Sequence, residues 1–221
     1  MQAELKRIPK HIGVIPDGNR RWAEERGMGK EQGYRYGVDA GFTMYEMCRA
    51  AGVEELTLYG FTQDNTKRPV TQRREFQEAC VNAVERLTRE NASLLVVGNS
   101  DSDMFPRALV PFTRRRTFGE GGIRVNFLVN YDWAWDIAQV VDSSSEGSPR
   151  KLVPQNIGSW DVSRIDLLIR WGGRRRLSGF LPVQSVYADI YVVDTMWPDF
   201  EPNHFWEALK WYQDQDVTLG G

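Results

Sequence analysis

Short apolar runs alternate with helical stretches along almost the whole chain, and that alternation leaves few folds open. Residues 11–16 (HIGVIP), 55–61 (ELTLYGF), 93–97 (SLLVV, ended by Gly98), 123–130 (IRVNFLVN), 165–169 (IDLLI) and 189–193 (DIYVV) read as strands. Between them, residues 34–51 carry apolar Val38, Phe42, Met44, Tyr45 and Met47 at helical spacing. Residues 72–91 read as a charged amphipathic helix, 105–116 as a helix starting near Pro106, and 133–142 as another. Residues 202–215 read as a final helix, with Pro202 suited to its first turn. Strands alternating with helices predict an α/β fold whose mainly parallel sheet is covered on both faces. Ligands of such folds bind where strands end and helices begin.

The 221 residues, 41% of them apolar, suffice for one large domain. No internal repeat divides them, and the linker-like SSSEGSP at 143–149 reads as an exposed loop within one unit spanning 1–221. A net charge of −2 gives no reason to expect a nucleic-acid or anionic-membrane partner. No apolar run reaches the roughly 18 residues of a transmembrane segment, and the N-terminal MQAELKRIPK lacks an apolar signal core. Cys48 and Cys80 both fall in helical segments, which predicts free thiols and a cytoplasmic protein. His11 and His204 are far apart and beside no cysteine, which argues against zinc and leaves few candidates for a histidine-based triad. GxxxxGK[ST], GxGxxG, GxSxG and HExxH are all absent.

Four polar segments follow or open predicted strands. The first, Asp17-Gly18-Asn19-Arg20-Arg21-Trp22, brings a carboxylate, a glycine turn, an amide and two guanidiniums to a helix start. Helix N-terminal amides attract anions, arginine forks grip phosphate oxygens, and an aspartate can hold Mg²⁺. Read alone, this segment is equally an ordinary turn with Asp17 as a helix cap. The second, residues 62–69 (TQDNTKRP), includes Asn65, Lys67 and Arg68; it is a loop able to close over a substrate, or a solvated turn stopped by Pro69. The third, residues 170–178 (RWGGRRRLS), packs four arginines and two glycines into nine positions. Crowding so much like charge is costly unless an anion neutralises it. The fourth is Asp189, a metal ligand or a solvated strand end, with Trp197-Pro198-Asp199-Phe200 beyond it. Two arginine-rich anion sites with two carboxylates suggest two diphosphates and Mg²⁺.

In this order the motifs resemble those of the cis-prenyltransferases, the undecaprenyl diphosphate synthase family, from about residue 10 onward. IPDGNRRWAEERG is similar to the family's first motif, LTLYGFTQDNTKRP to its second, and RIDLLIRWGGRRRLSGFLPVQSVYADIYVVDTMWPDF to its C-terminal signature. The resemblance implies an open six-stranded, mainly parallel sheet flanked by helices, an apolar tunnel, and a homodimer. It implies an allylic diphosphate bound at the first motif and isopentenyl diphosphate, or another small acceptor, at the third. Asp17 would work with Mg²⁺, joined by Asp189 in place of the usual glutamate. Gly18, Asn19, Arg20, Arg21, Trp22, Lys30 and Tyr34 would border the allylic diphosphate, with Asn65 and Arg68 serving ionisation and phosphate contact. Arg170, Arg176 and Ser178 would hold the second diphosphate, with Trp171 and Arg174 beside them.

The chain departs from the family pattern chiefly on the acceptor side. Tyr34 replaces a histidine, Thr66 an aromatic, and Arg170-Trp171-Gly172-Gly173-Arg174 the usual R-T-G-G-E. Asn130-Tyr131-Asp132-Trp133-Ala134 replaces N-Y-G-G-R, and Thr218-Leu219-Gly220 stands where R-x-G is usual. Trp171, Trp133 and Trp135 would narrow the acceptor space or stack on a planar acceptor, and Arg174 would replace the missing C-terminal arginine. With the helix at 72–91 about one turn shorter than in long-chain enzymes, the leading expectation is a short-chain prenyl diphosphate synthase. Two alternatives remain: irregular head-to-middle coupling, cyclisation or transfer to a small non-isoprenoid acceptor, and a non-catalytic partner subunit of an active homologue.

Overall fold

Strand β1 (His11–Ile15) lies inside the sheet, and every one of its residues is buried. It pairs in parallel with β2 (Glu55–Tyr59) on one side and β6 (Leu167–Arg170) on the other. A computed structural model describes residues 5–140 and 148–216 of the chain. Its remaining strands are β3 (Ala92–Val97), β4 (Arg116–Phe118), β5 (Ile123–Leu128) and β7 (Asp189–Val192). They form one sheet in the order β4-β3-β5-β2-β1-β6-β7. All pairings are parallel except that of β4 with β3. The six expected strands are therefore present, with β4 as a seventh at the edge.

The helices are α1 (Asn19–Glu25), α2 (Gly33–Ala51), α3 (Val70–Leu87), α4 (Trp133–Ala138), α5 (Pro149–Asn156) and α6 (Pro202–Gln213). Alternation along the strands sorts two apolar layers. Ile12, Val14, Leu167, Ile169 and Trp171 join the larger core with residues of α2, α3 and α6. Ile15, Leu168, Phe180 and Tyr131 belong to the smaller cluster on the other face. Each fully buried large apolar side chain contributes about 1.5–3 kcal/mol.

The helix expected over 105–116 is not formed. Residues 107–112 make a short 3₁₀ turn containing Pro111, which has no N–H for a helical ladder. Arg116 then opens β4, pairing opposite Leu94. Helix α4 ends at Ala138, while residues 141–142 of the expected segment, and 143–147 of the expected loop, lie outside the described residues. Both cysteines are buried free thiols. Among the described residues no helix is long and apolar enough to cross a membrane.

Candidate active site

The carboxyl ends of β1, β2 and β6 lie side by side, and three of the four polar segments begin there. Beyond β1 the chain turns at Gly18 (φ 107°) into α1. A Cβ at Gly18 would come within 2.8 Å of Met196, so this turn needs glycine on both conformational and steric grounds. The turn after β6 is equally tight: at Gly172 (φ 78°) a Cβ would lie 2.6 Å from Arg21 Nη2.

Register brings Asp17 and Arg170 together. Ile15, the last residue of β1, pairs with Arg170, and just beyond it the chain turns, the Asp17 N–H donating to the Ile15 carbonyl at 2.9 Å. Arg170 Nη2 donates to Asp17 Oδ2 at 2.8 Å. The guanidinium is 4% exposed and the carboxylate 33%. Arg170 Nη1 donates to Ser178 Oγ at 2.9 Å and to the Arg176 carbonyl, while its Nε is buried without a partner. Arg21 stands 3.6 Å from Asp17 Oδ1 and donates to the Gly172 carbonyl at 3.0 Å. The first and third motifs are thus one site.

A cleft of about 470 Å³ opens over this pair, lined among others by Arg20, Arg21, Arg68, Arg170 and Arg176. The Arg20 side chain forms no hydrogen bond or ion pair with a described residue, and its buried Nε is unpartnered. Arg68 Nη1 donates to the Tyr34 hydroxyl at 2.7 Å, and Tyr34 stacks on Phe76 at 4.4 Å. Burial pushes the Tyr34 phenol up, against the pull of the Arg68 guanidinium. Asn65 also lines the cleft; its Oδ1 accepts from the Thr62 N–H, capping the 3₁₀ turn at 63–67. Ser178, with φ 51°, holds a left-handed conformation, and the Tyr59 hydroxyl donates to its carbonyl at 2.8 Å.

An apolar pocket of about 80 Å³ adjoins the cleft, between α2, α3 and the sheet. Pro16, Asn19, Tyr34, Tyr59, Gly60 and Phe76 line both spaces. Asn19 Oδ1 is a buried acceptor without a partner near this junction. The pocket floor is Leu58 and Phe127, paired across β2 and β5.

Several expected site residues lie elsewhere. Trp171 follows Arg170 and so points to the opposite face: it is 0% exposed and meets Trp197 edge-on at 4.8 Å. It neither narrows an acceptor space nor offers a stacking face. Trp22 is buried, with its Nε1 donating to Asp199 at 2.6 Å behind α1. Lys30 pairs with Glu24 at 2.7 Å, and Arg174 is exposed; neither lines the cleft. Asp189 begins β7 opposite Leu167, which pairs with Ile12, five residues before Asp17. At about 3.3 Å per residue it sits roughly 16 Å from Asp17 along the strands, at the other end of the sheet. It lies 3.9 Å from Arg7, so the two aspartates of one chain cannot share an ion. Trp133 is exposed beside Gly179, and Trp135 lies with Tyr131 and Gly158; neither lines the cleft. Thr218-Leu219-Gly220 lies outside the described residues.

Tyr59 and Phe76 also line the site, beyond the residues expected from the sequence. Tyr59 carries a legible signal, because it ends a predicted strand at the edge where ligands of such folds bind. Phe76 carries none, since an aromatic on a helix reads as core.

The prenyltransferase family model described as undecaprenyl diphosphate synthase matches residues 15–220. The (2E,6E)-farnesyl-diphosphate-specific ditrans,polycis-undecaprenyl-diphosphate synthase of Yersinia pseudotuberculosis is 32% identical, over 97% of this chain and 91% of that protein. An isoprenyl transferase of Heliobacterium mobile is 33% identical, over 100% of this chain and 90% of its own length. In fold, the chain is similar to lavandulyl diphosphate synthase of Lavandula x intermedia, solved with dimethylallyl diphosphate. The TM-score is 0.82 at 20% identity, over 96% of this chain and 98% of that one.

Proposed function

Because this chain belongs to the undecaprenyl diphosphate synthase family of prenyltransferases, we propose that it condenses an allylic diphosphate with isopentenyl diphosphate. The product is a short-chain cis-prenyl diphosphate, with diphosphate released. The observation that carries this reading is the junction of two unlike spaces. Five arginines line a cleft that opens directly into an apolar pocket of about 80 Å³. That pairing suits a doubly charged head on a short hydrocarbon chain, such as dimethylallyl, geranyl or farnesyl diphosphate.

Arg20 and Arg68 stand on the allylic side, Arg170, Arg176 and Ser178 on the acceptor side, and Asp17 between them. As the allylic C–O bond breaks, charge builds on the departing diphosphate oxygens, and fixed guanidiniums stabilise it more than they stabilise the bound substrate. The acceptor's double bond attacks the allylic carbon, and a proton leaves to a diphosphate oxygen. Holding both substrates against one wall supplies much of the remaining advantage.

Mg²⁺ fits this site in a limited way. Among the described residues no group of three His, Cys, Asp or Glu forms a cage. Mg²⁺ is commonly held by one or two carboxylates with phosphate oxygens and waters, and Asp17 is a partly exposed carboxylate in the cleft. Asp17 would hold the ion, which when bound adds positive charge at the diphosphate oxygens. Asp189 belongs to the β7 edge, where Ile190 is exposed and, just before the strand, Val186 and Tyr187 are also exposed. That edge is the surface we assign to the expected homodimer, and light scattering at increasing concentration tests it.

The reaction is tested by giving purified protein geranyl diphosphate with Mg²⁺, with and without isopentenyl diphosphate. Diphosphate release that depends on isopentenyl diphosphate supports condensation. Release without it moves the assignment to coupling or cyclisation of the allylic substrate alone.

A further inference from the structure

The apolar pocket has two ends. Tyr34 and Phe76 mark the cleft end. Helices α2 and α3 run side by side in one direction, since Arg35 meets Glu75 near their starts and Asp39 meets Arg86 further along. Phe42 and Arg86 therefore mark the far end. Eight residues of α2 separate Tyr34 from Phe42, and ten of α3 separate Phe76 from Arg86, which is about 12–15 Å of depth. An isoprene unit of four C–C bonds extends roughly 5 Å, so a chain of about two or three units reaches the far end.

What stands there is a cation held across the gap. Arg86 Nη1 donates to Asp39 Oδ1 at 2.7 Å, and its guanidinium lies 3.9 Å from the centroid of the Phe42 ring. The Asp39 side chain is largely solvent-facing, at 82% exposure, and Arg86 is partly so, at 41%. Such an exposed pair holds weakly, at about 0–1 kcal/mol, so it does not lock the helices. Its effect on a growing chain is different. A prenyl tail advancing past Phe42 must strip water from a guanidinium or displace it from both partners.

We propose that Arg86, held by Asp39 and Phe42, is a polar stop that sets product length by penalising tails that outgrow the pocket. This rests on the pocket being the prenyl-chain site. Arg86 is a specificity residue at the far end of the tail and touches no reacting atom.

The test compares Arg86→Leu and Asp39→Asn with the unaltered chain, using geranyl and isopentenyl diphosphates and product sizing by mass and retention. Arg86→Leu keeps apolar cover over Phe42, and Asp39→Asn alters an exposed position, so both variants should fold. The expected result is a main product longer by one isoprene unit in Arg86→Leu, with a smaller shift the same way in Asp39→Asn. Unchanged product sizes in active variants overturn the proposal. A second readout separates this from the enzymatic reading: Trp197 lines the pocket, so tail binding is followed by tryptophan fluorescence. The unaltered chain should favour geranyl over geranylgeranyl diphosphate by about tenfold, and Arg86→Leu should erase most of that preference. An equal preference in both proteins sinks the stop, whether or not turnover is seen. Selective binding without any product sinks the condensation reading and leaves the stop standing.

Discussion

Arg170 donates to Asp17 at 2.8 Å and so ties the carboxyl end of β6 to that of β1, joining two segments 153 residues apart. The pair is lopsided in exposure, with the arginine buried and the carboxylate facing the cleft. Asp17→Asn should lower kcat by roughly 10²–10³-fold, the scale for losing one transition-state electrostatic partner. It should also destabilise the fold by about 1–3 kcal/mol, because Arg170 keeps Ser178 and the Arg176 carbonyl but loses its counter-charge. Steady-state kinetics and thermal melts of the same variant check both halves.

Tyr34 reports on the allylic side. Its hydroxyl accepts from Arg68 at 2.7 Å, and its ring stacks on Phe76. Tyr34→Phe keeps the stack and removes the hydrogen bond, a loss of about 1 kcal/mol. A rise of about fivefold in KM for the allylic diphosphate, with the isopentenyl KM unchanged, is the expected result. Equal changes in both would place Tyr34 outside the allylic side.

Trp171 should behave as core. It is fully buried against Trp197 and Phe200. Trp171→Thr should cost about 3 kcal/mol through the cavity it leaves, lowering Tm by roughly 6–12 °C. Acceptor choice should not change, and competition assays with the variant at low temperature check that.

The amino end of the sheet sets an acid limit. His11 Nε2 lies 2.8 Å from Thr57 Oγ1 and its Nδ1 3.0 Å from the Ser163 carbonyl, while Asn126 donates to Thr57 and Glu55. Burial pushes the His11 imidazole below its usual 6.5, although Glu55 pulls the other way. As pH falls, the unfolded chain therefore takes up this proton first. The stabilisation is complete above about pH 6.5 and is lost as pH drops below it. Glu55 is also held low: burial alone would raise it, but His11, Asn126, Ser163 and Arg124 outweigh that. Its contribution persists above about pH 4.5 and is lost further down. Thermal melts from pH 8 to 5 should show Tm falling below about 6.5, and His11→Gln should flatten that first fall.

Much of this was legible in the residues because the fold is built on strand alternation. The six anticipated strands pair as a parallel sheet, and the segments following β1, β2 and β6 converge because parallel strands end on one edge. Trp171 sits in the core and not at the acceptor side, and parity carries the reason: once Arg170 faces the cleft, its neighbour faces the opposite core. Residues 105–116 misled because their apolar spacing is helical while Pro111 and the edge pairing of Arg116 are not. Asp189 lies apart from Asp17 within one chain because sequence places it near a strand but does not say which end of the sheet that strand's start occupies. The meeting of Arg86 with Asp39 and Phe42 depends on how α2 and α3 pack, which no local pattern encodes.

The central claim is that the arginine-lined cleft and its apolar pocket make one short-chain condensation site. The direct measurement is product analysis with Mg²⁺ and dimethylallyl, geranyl or farnesyl diphosphate, each with and without isopentenyl diphosphate, beside an Asp17→Ala control. The account predicts isopentenyl-dependent products of about two or three isoprene units, on the depth of the pocket, and their loss in the control. Long polyprenyl products, or products formed from the allylic diphosphate alone, would contradict it.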